Sequence, residues 1–309
     1  MGWAARMDDI VLTRALLSQG YDPEELARML RNGTMTRIRR GAYMRATDQD
    51  GDESTNAKHR RLILATVPQL DPRAVLSHGS AALLHGLPTW TEATARVHIT
   101  RSRRGGARRR ALVEVHGAPF DAADLTLVDG LKVTSLNRTV LDLARTLPWE
   151  QAVAAGDRAL ALGLTRAELS DGLQRMRGWP GVGSARRTVG FLEVRSESAG
   201  ESVSRVRIYE AGLPSPVPQM EIFDSSGRFV ARVDFGWEEK RTIGEFDGKA
   251  KYGELLKPGQ TPRDAVVAEK WREDLLRDLG WRVVRWMWAD LYQHGVIGDR
   301  LQRAIAQAV

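Results

Sequence analysis

The chain has no cysteine in its 309 residues. That excludes disulfides, thiolate metal sites and thiol nucleophiles, and it fits a reducing cytoplasm, the compartment expected. No apolar run approaches the roughly 20 residues that span a bilayer. Asp8 and Asp9 interrupt any signal-peptide pattern, so no membrane association is expected. Residues 1–6 show no structural pattern, and Met7 is a second candidate start. Five of the nine tryptophans fall late, at Trp237, Trp271, Trp281, Trp286 and Trp288, where they read mostly as core.

Excess negative charge is also lacking, and the +7 balance is uneven. Residues 1–110 hold 19 Lys/Arg against 11 Asp/Glu, residues 111–190 hold 9 of each, and residues 191–309 hold 18 against 19. All the positive excess therefore lies in the first third, the pattern of a polyanion-binding part. General preference for arginine over lysine is the bland alternative. DNA is the partner expected.

The expected fold class is a multidomain α+β or α/β protein: 1–50 a winged helix-turn-helix, 51–180 a mixed α/β middle domain, 190–309 a mixed sheet flanked by helices. Ile10, Leu12, Ala15, Leu16 and Leu17 supply a helical apolar stripe. Asp22-Pro23 with Glu25 starts a second helix that stops at Asn32-Gly33. A basic hairpin around Gly41 follows, from which Arg37, Arg39 and Arg40 reach phosphates. Arg101, Arg103, Arg104, Arg108, Arg109 and Arg110 form a second basic run, read as a hairpin tip at Gly105-Gly106 between two strands; it offers either phosphate contacts or a solvated tip. Ser77 is expected to cap a short helix ending at Gly86. Arg138 and Asp142, four apart, read as a helix-surface pair. Residues 178–190 are Gly-rich and mark a boundary.

From Ser198 the pattern becomes helix, three antiparallel strands (219–223, 229–237, 241–247), helix (265–279), strand, helix. Alternation along the third strand puts Glu245, Asp247 and Lys249 on one face. With Glu238-Glu239 as a two-residue loop, Asp234 stands opposite Ile243 and diagonal to Glu245, on that same face. One added loop residue would turn it away. Converging carboxylates with a lysine suit a divalent cation. Turn chemistry at Asp247-Gly248 is the plainer alternative.

These residues carry a resemblance. Glu201, Gly212-Leu-Pro214, Val233-Asp234-Phe235, Glu245-Phe-Asp-Gly-Lys249 and Trp271 to Trp281 with Arg285 resemble, in order, the PD-(D/E)XK nuclease superfamily, in particular its very-short-patch-repair-like branch. The resemblance covers about 195–290. It implies a restriction-endonuclease-like domain in which Asp234 and Glu245 hold Mg²⁺, Glu201 adds a carboxylate, and Lys249 orients water or phosphate. The superfamily's usual lysine lies two residues after the second acid, where this chain has Asp247. Either Asp247 replaces it, or the working pair is Asp247 and Lys249.

The N-terminal part, about 8–145, resembles the AbiEi-type antitoxins of bacterial toxin–antitoxin systems. The resemblance rests on the helix-turn-helix, Ile38-Arg-Arg-Gly-Ala-Tyr43 and Ser77-His-Gly-Ser-Ala-Ala-Leu-Leu-His-Gly-Leu-Pro88. It implies a repressor of its own promoter that accompanies a nucleotidyltransferase-like toxin. Two functions thus stand open: a DNA-targeted, Mg²⁺-dependent endonuclease, or an antitoxin-like autorepressor with an inactive nuclease-like domain. The six histidines show no zinc-site spacing, and His78 and His85 read as packing or capping residues.

Overall fold

A computed structural model describes residues 10–46, 54–102, 108–109, 111–248 and 262–307. The chain forms two compact units, 1–147 with 164–186 and 148–163 with 187–309. The described residues form three sheets with helices around them, a multidomain α+β fold. None of their helices is long and apolar enough to cross a membrane.

The first unit begins with β1 (Ile10–Leu12), α1 (Thr13–Ser18), α2 (Pro23–Arg31), β2 (Met35–Arg39) and β3 (Ala42–Arg45). Ile10–Leu12 is thus a strand, not the first turns of a helix. Its branched residues pair antiparallel with Ala42–Met44, giving the sheet order β1-β3-β2. Asp22 and Glu25 form the expected capping box, with Pro23 in the first turn. Leu16, Met35 and Tyr43 make the small core beneath.

Next come α3 (Thr55–Thr66), β4 (Val75–Leu76), α4 (His78–Leu84), α5 (Thr91–Thr94), β5 (Val97–Arg101), β6 (Arg108–Arg109), β7 (Val113–Gly117), β8 (Leu125–Val128), β9 (Leu131–Thr134) and α6 (Leu136–Thr146). The six strands order as β6-β7-β5-β4-β9-β8. β5 and β7 run parallel, and the antiparallel partner of β7 is β6. The basic run is therefore not the tip of a hairpin between the flanking strands: it follows β5 and leads into the edge strand β6. Ile63, Leu76, Val97, Ile99 and Val133 lie at the centre of this core.

α7 (Trp149–Ala161) belongs to the second unit, α8 (Arg166–Arg175) to the first, and α9 (Val182–Phe191) carries the chain across the boundary. The Gly-rich 178–190 stretch is thus largely helical. In α6, the Arg138–Asp142 pair is the reverse of a surface pair. Arg138 Nε donates to Asp142 at 2.8 Å with both residues 2% exposed or less, and Arg138 Nη1 also reaches Asp124 at 3.1 Å. Arg145 closes the group on the other Asp142 oxygen at 2.8 Å. Spacing of four fits a surface pair, but the arginine instead faces Asp124 and the carbonyl of Pro119 and lies under Trp179.

The second unit continues with α10 (Ala199–Glu210), β10 (Val217–Phe223), β11 (Phe229–Trp237), β12 (Thr242–Phe246), α11 (Pro262–Asp278), β13 (Arg282–Trp286), α12 (Trp288–Leu291) and α13 (Val296–Ala306). The sheet order is β10-β11-β12-β13, antiparallel except for the parallel β12–β13 pair. Ser198 caps α10 through the Glu201 amide. Phe235, Phe246, Trp286 and Leu301 fill one core cluster, and Val233, Ile243, Leu276 and Trp281 another. Trp237, Trp281 and Trp286 are core as expected, whereas Trp271 is 73% exposed.

Candidate functional site

The turn between β11 and β12 decides the acidic site. Four residues, not two, separate Trp237 from Thr242: a 3₁₀ turn over Glu238–Lys240 and Arg241 in the left-handed region at φ 41. The register pairs Trp237 with Thr242, Gly236 with Ile243 and Phe235 with Gly244. The paired register ends there, short of Asp234 and Glu245. Two added loop residues give Ile243 the partner Gly236 in place of the expected Asp234. Beyond the last pair the Asp234 side chain takes over from the backbone ladder, its Oδ2 accepting the Phe246 amide at 2.8 Å.

α10 delivers Glu201 to the same sheet. It lies close against β12 because residue 200 is glycine, where a Cβ would overlap the Phe246 ring. Glu201 is 5% exposed, and both its oxygens are engaged. Oε1 accepts Ser198 Oγ at 2.7 Å; Oε2 accepts the Glu197 amide at 2.9 Å and Gln219 Nε2 at 2.8 Å. Gln219 sits in β10 between the Pro218–Phe235 and Met220–Val233 pairs, hence beside Asp234.

Glu245 is clamped. Arg272 of α11 donates to Oε1 at 2.8 Å and Arg285 of β13 to Oε2 at 2.9 Å. Both arginines also contact Glu269, and Arg285 reaches Glu273. The hydrogen bond to Glu269, opposed by burial and joined by the charge of Glu245, holds the Arg272 guanidinium above its usual range. Arg272 was not among the residues singled out in the sequence. Its signal was present, because Arg272 lies four residues before Leu276 and so shares the buried face of α11, which the exposed Trp271 does not.

The carboxylate oxygens suit magnesium chemically. Each Glu245 oxygen nevertheless already accepts a guanidinium N–H, and no three of Glu201, Asp234, Glu245 and Asp247 bring ligand atoms within 4.8 Å of one another. Asp247 continues the β12–β13 pairing, its amide donating to the Trp286 carbonyl at 2.8 Å. Lys249 lies outside the described residues.

In the first unit the basic candidates divide. Arg37 and Arg40 are exposed. A bulge at Ile38 separates Arg37 from Arg39, and Arg39 turns inward to donate to Thr66 Oγ1 at 2.8 Å. Arg101 is paired with Asp71, and Arg109 with Glu114 at 3.0 Å. Arg39, Arg101 and Arg109 thus have partners within the unit. Arg103, Arg104 and Arg110 lie outside the described residues, as does the side chain of Arg108.

The fold brings histidines together that no sequence spacing groups. One ligand atom each of His98, Glu114 and His116 lie within 4.8 Å of one another, the one such group among the described residues. Ser77 does not cap α4 with its side chain; it instead contacts His78 Nδ1 at 3.1 Å and accepts from Thr100 at 2.8 Å. His85 does pack as expected, against the Thr134 carbonyl.

No protein-family model matches the chain. It is similar to two uncharacterized proteins of Mycobacterium tuberculosis, one from strain H37Rv and one from strain CDC 1551. Each is 28% identical over 291 residues, a match that covers 92% of this chain and 97% of the relative.

Proposed function

We propose that this is a DNA-binding protein whose second unit is a PD-(D/E)XK-like endonuclease domain. The observation that carries the reading is the Asp234 carboxylate on the amide of Phe246, the residue after Glu245, where the β11–β12 ladder gives way to a side chain, with Glu201 bound to Gln219 of the neighbouring β10. The order helix, three strands, helix, strand around it supports the same assignment. Asp234 and Glu245 would hold Mg²⁺, which lowers the pKa of a bound water and offsets charge developing on a phosphate. Arg272 and Arg285 would exchange Glu245 for the phosphate, because a guanidinium fork matches either anion. For the first unit, the strand, two helices and basic two-stranded wing support DNA contact in the manner of an AbiEi-type repressor.

A second reading has its own observation. The double clamp on Glu245, together with aspartate at position 247, favours a binding scaffold in an autorepressor accompanied by a nucleotidyltransferase-like toxin. One experiment separates the two. Plasmid and linear DNA are incubated with the full chain in Mg²⁺ or EDTA, beside Asp234→Ala and Glu245→Ala. Mg²⁺-dependent cleavage lost in both variants supports the enzyme. Cleavage that survives both removes the site, and none under any condition supports the scaffold.

A further inference from the structure

The mixed sheet of the first unit brings together a second, chemically different donor set. Val97 and Ile99 of β5 face the core, so strand alternation sends His98 and Thr100 to the opposite side. β7 runs parallel beside β5, with Glu114 in register with His98 and His116 with Thr100. Glu114 and His116, two residues apart, share that side with His98. His98 Nδ1 and His116 Nε2 are 3.0 Å apart, and the site gathers one ring nitrogen from each histidine and one Glu114 oxygen within 4.8 Å.

The surroundings hold this set in place. His78 adopts φ 49, an uncommon left-handed conformation for a side-chain-bearing residue, and its ring stacks on His116 with centroids 3.6 Å apart and planes at 12°. The His98 amide donates to Ser80 Oγ at 2.8 Å, and Ser80 Oγ also meets His59 Nε2 at 3.0 Å. Arg109 Nε donates to Glu114 Oε2 at 3.0 Å, orienting the carboxylate as outer partners orient metal ligands elsewhere.

We propose that His98, Glu114 and His116 form a divalent transition-metal site that takes Zn²⁺. Two imidazoles and a carboxylate suit zinc, while magnesium demands an oxygen shell. A cation between the rings takes the place of their mutual hydrogen bond, the donor ring then carrying its proton on its other nitrogen. Three protein ligands leave the fourth tetrahedral position to water or a small anion. This site is independent of the Asp234–Glu245 pair in both location and metal.

The test is titration of the EDTA-stripped full chain with Zn²⁺ by calorimetry and with Co²⁺ by visible absorption. Expected are one Zn²⁺ per chain, no competition from millimolar Mg²⁺, and Co²⁺ bands of tetrahedral intensity. Glu114→Gln and His116→Gln should each weaken Zn²⁺ about tenfold or more with unchanged circular dichroism, as ligand-shell changes do. His294→Gln, an exposed control, should leave binding unchanged. Absence of stoichiometric Zn²⁺ binding overturns the proposal, as does binding indifferent to both ligand substitutions. If those variants do not fold, the wild-type Co²⁺ spectrum decides: octahedral aquo-like bands alone overturn it.

Discussion

Asp234 Oδ2 accepts the Phe246 amide at 2.8 Å, a side chain filling a place in the β11–β12 ladder. The carboxylate therefore has a structural duty beside any chemical one, and substitutions separate the two. Asp234→Asn keeps a carbonyl oxygen for that amide and should fold with nearly unchanged stability. Asp234→Ala leaves the buried amide unpaired and should cost about 1–3 kcal/mol. Urea unfolding measures the difference, and equal stability of the two variants would remove the structural role. Under the endonuclease reading both lose cleavage.

Asp142 is the acceptor for two guanidinium groups inside the first unit. Burial pushes its carboxyl up, against the opposing pull of Arg138 and Arg145. Asp142→Ala leaves Arg138, 2% exposed, short of its principal partner and should destabilise the unit by roughly 3–5 kcal/mol. A surface pair would cost about 0–1 kcal/mol instead. Chemical denaturation decides between these figures.

Arg37 and Arg40 should behave differently from Arg39 and Arg101. Alanine at either exposed position should weaken duplex DNA binding alike for all sequences and reduce the salt slope by about one. Alanine at Arg39 or Arg101 removes an internal partner, Thr66 or Asp71, and should lower stability more than the salt slope. Fluorescence anisotropy over a salt series, beside urea unfolding, would expose the reverse ordering.

His59, His98 and His116 each sit near 4, below the usual 6.5, chiefly because they are buried. Between those values the unfolded chain binds protons that the native state refuses. Stability is therefore fully present above about pH 6.5 and is lost as pH falls toward 4, by at most about 3 kcal/mol per histidine. Unfolding of EDTA-treated protein at pH 7.5, 6 and 5 should show a steady fall, and a flat profile would contradict the assignment.

Much of the fold was legible because its signals are local. Asp22-Pro23 with Glu25 and Ser198 with Glu201 are chemistry within one helical turn, and both start helices. Strand β11 matches its expected bounds because apolar alternation is a property of nine consecutive residues. Misreadings occurred where two distant segments settle the outcome. Ile10–Leu12 forms a strand because β3 lies beside it. Arg138–Asp142 has surface spacing, yet Asp124 and Pro119 come from another segment to bury it.

The sequence by itself determined the element order after Ser198, the caps at Asp22 and Ser198, the charge asymmetry and the pairing of an acidic strand with a second one, since each depends on neighbours along the chain. Tertiary structure alone decided the register that sets the Asp234 carboxylate on the Phe246 amide, the arginines that clamp Glu245, and the parallel placement of His98 beside Glu114 and His116. The physical reason is the same in all three. Parallel partners and loop registers are chosen by packing summed over a whole sheet, and no short window of residues contains that sum.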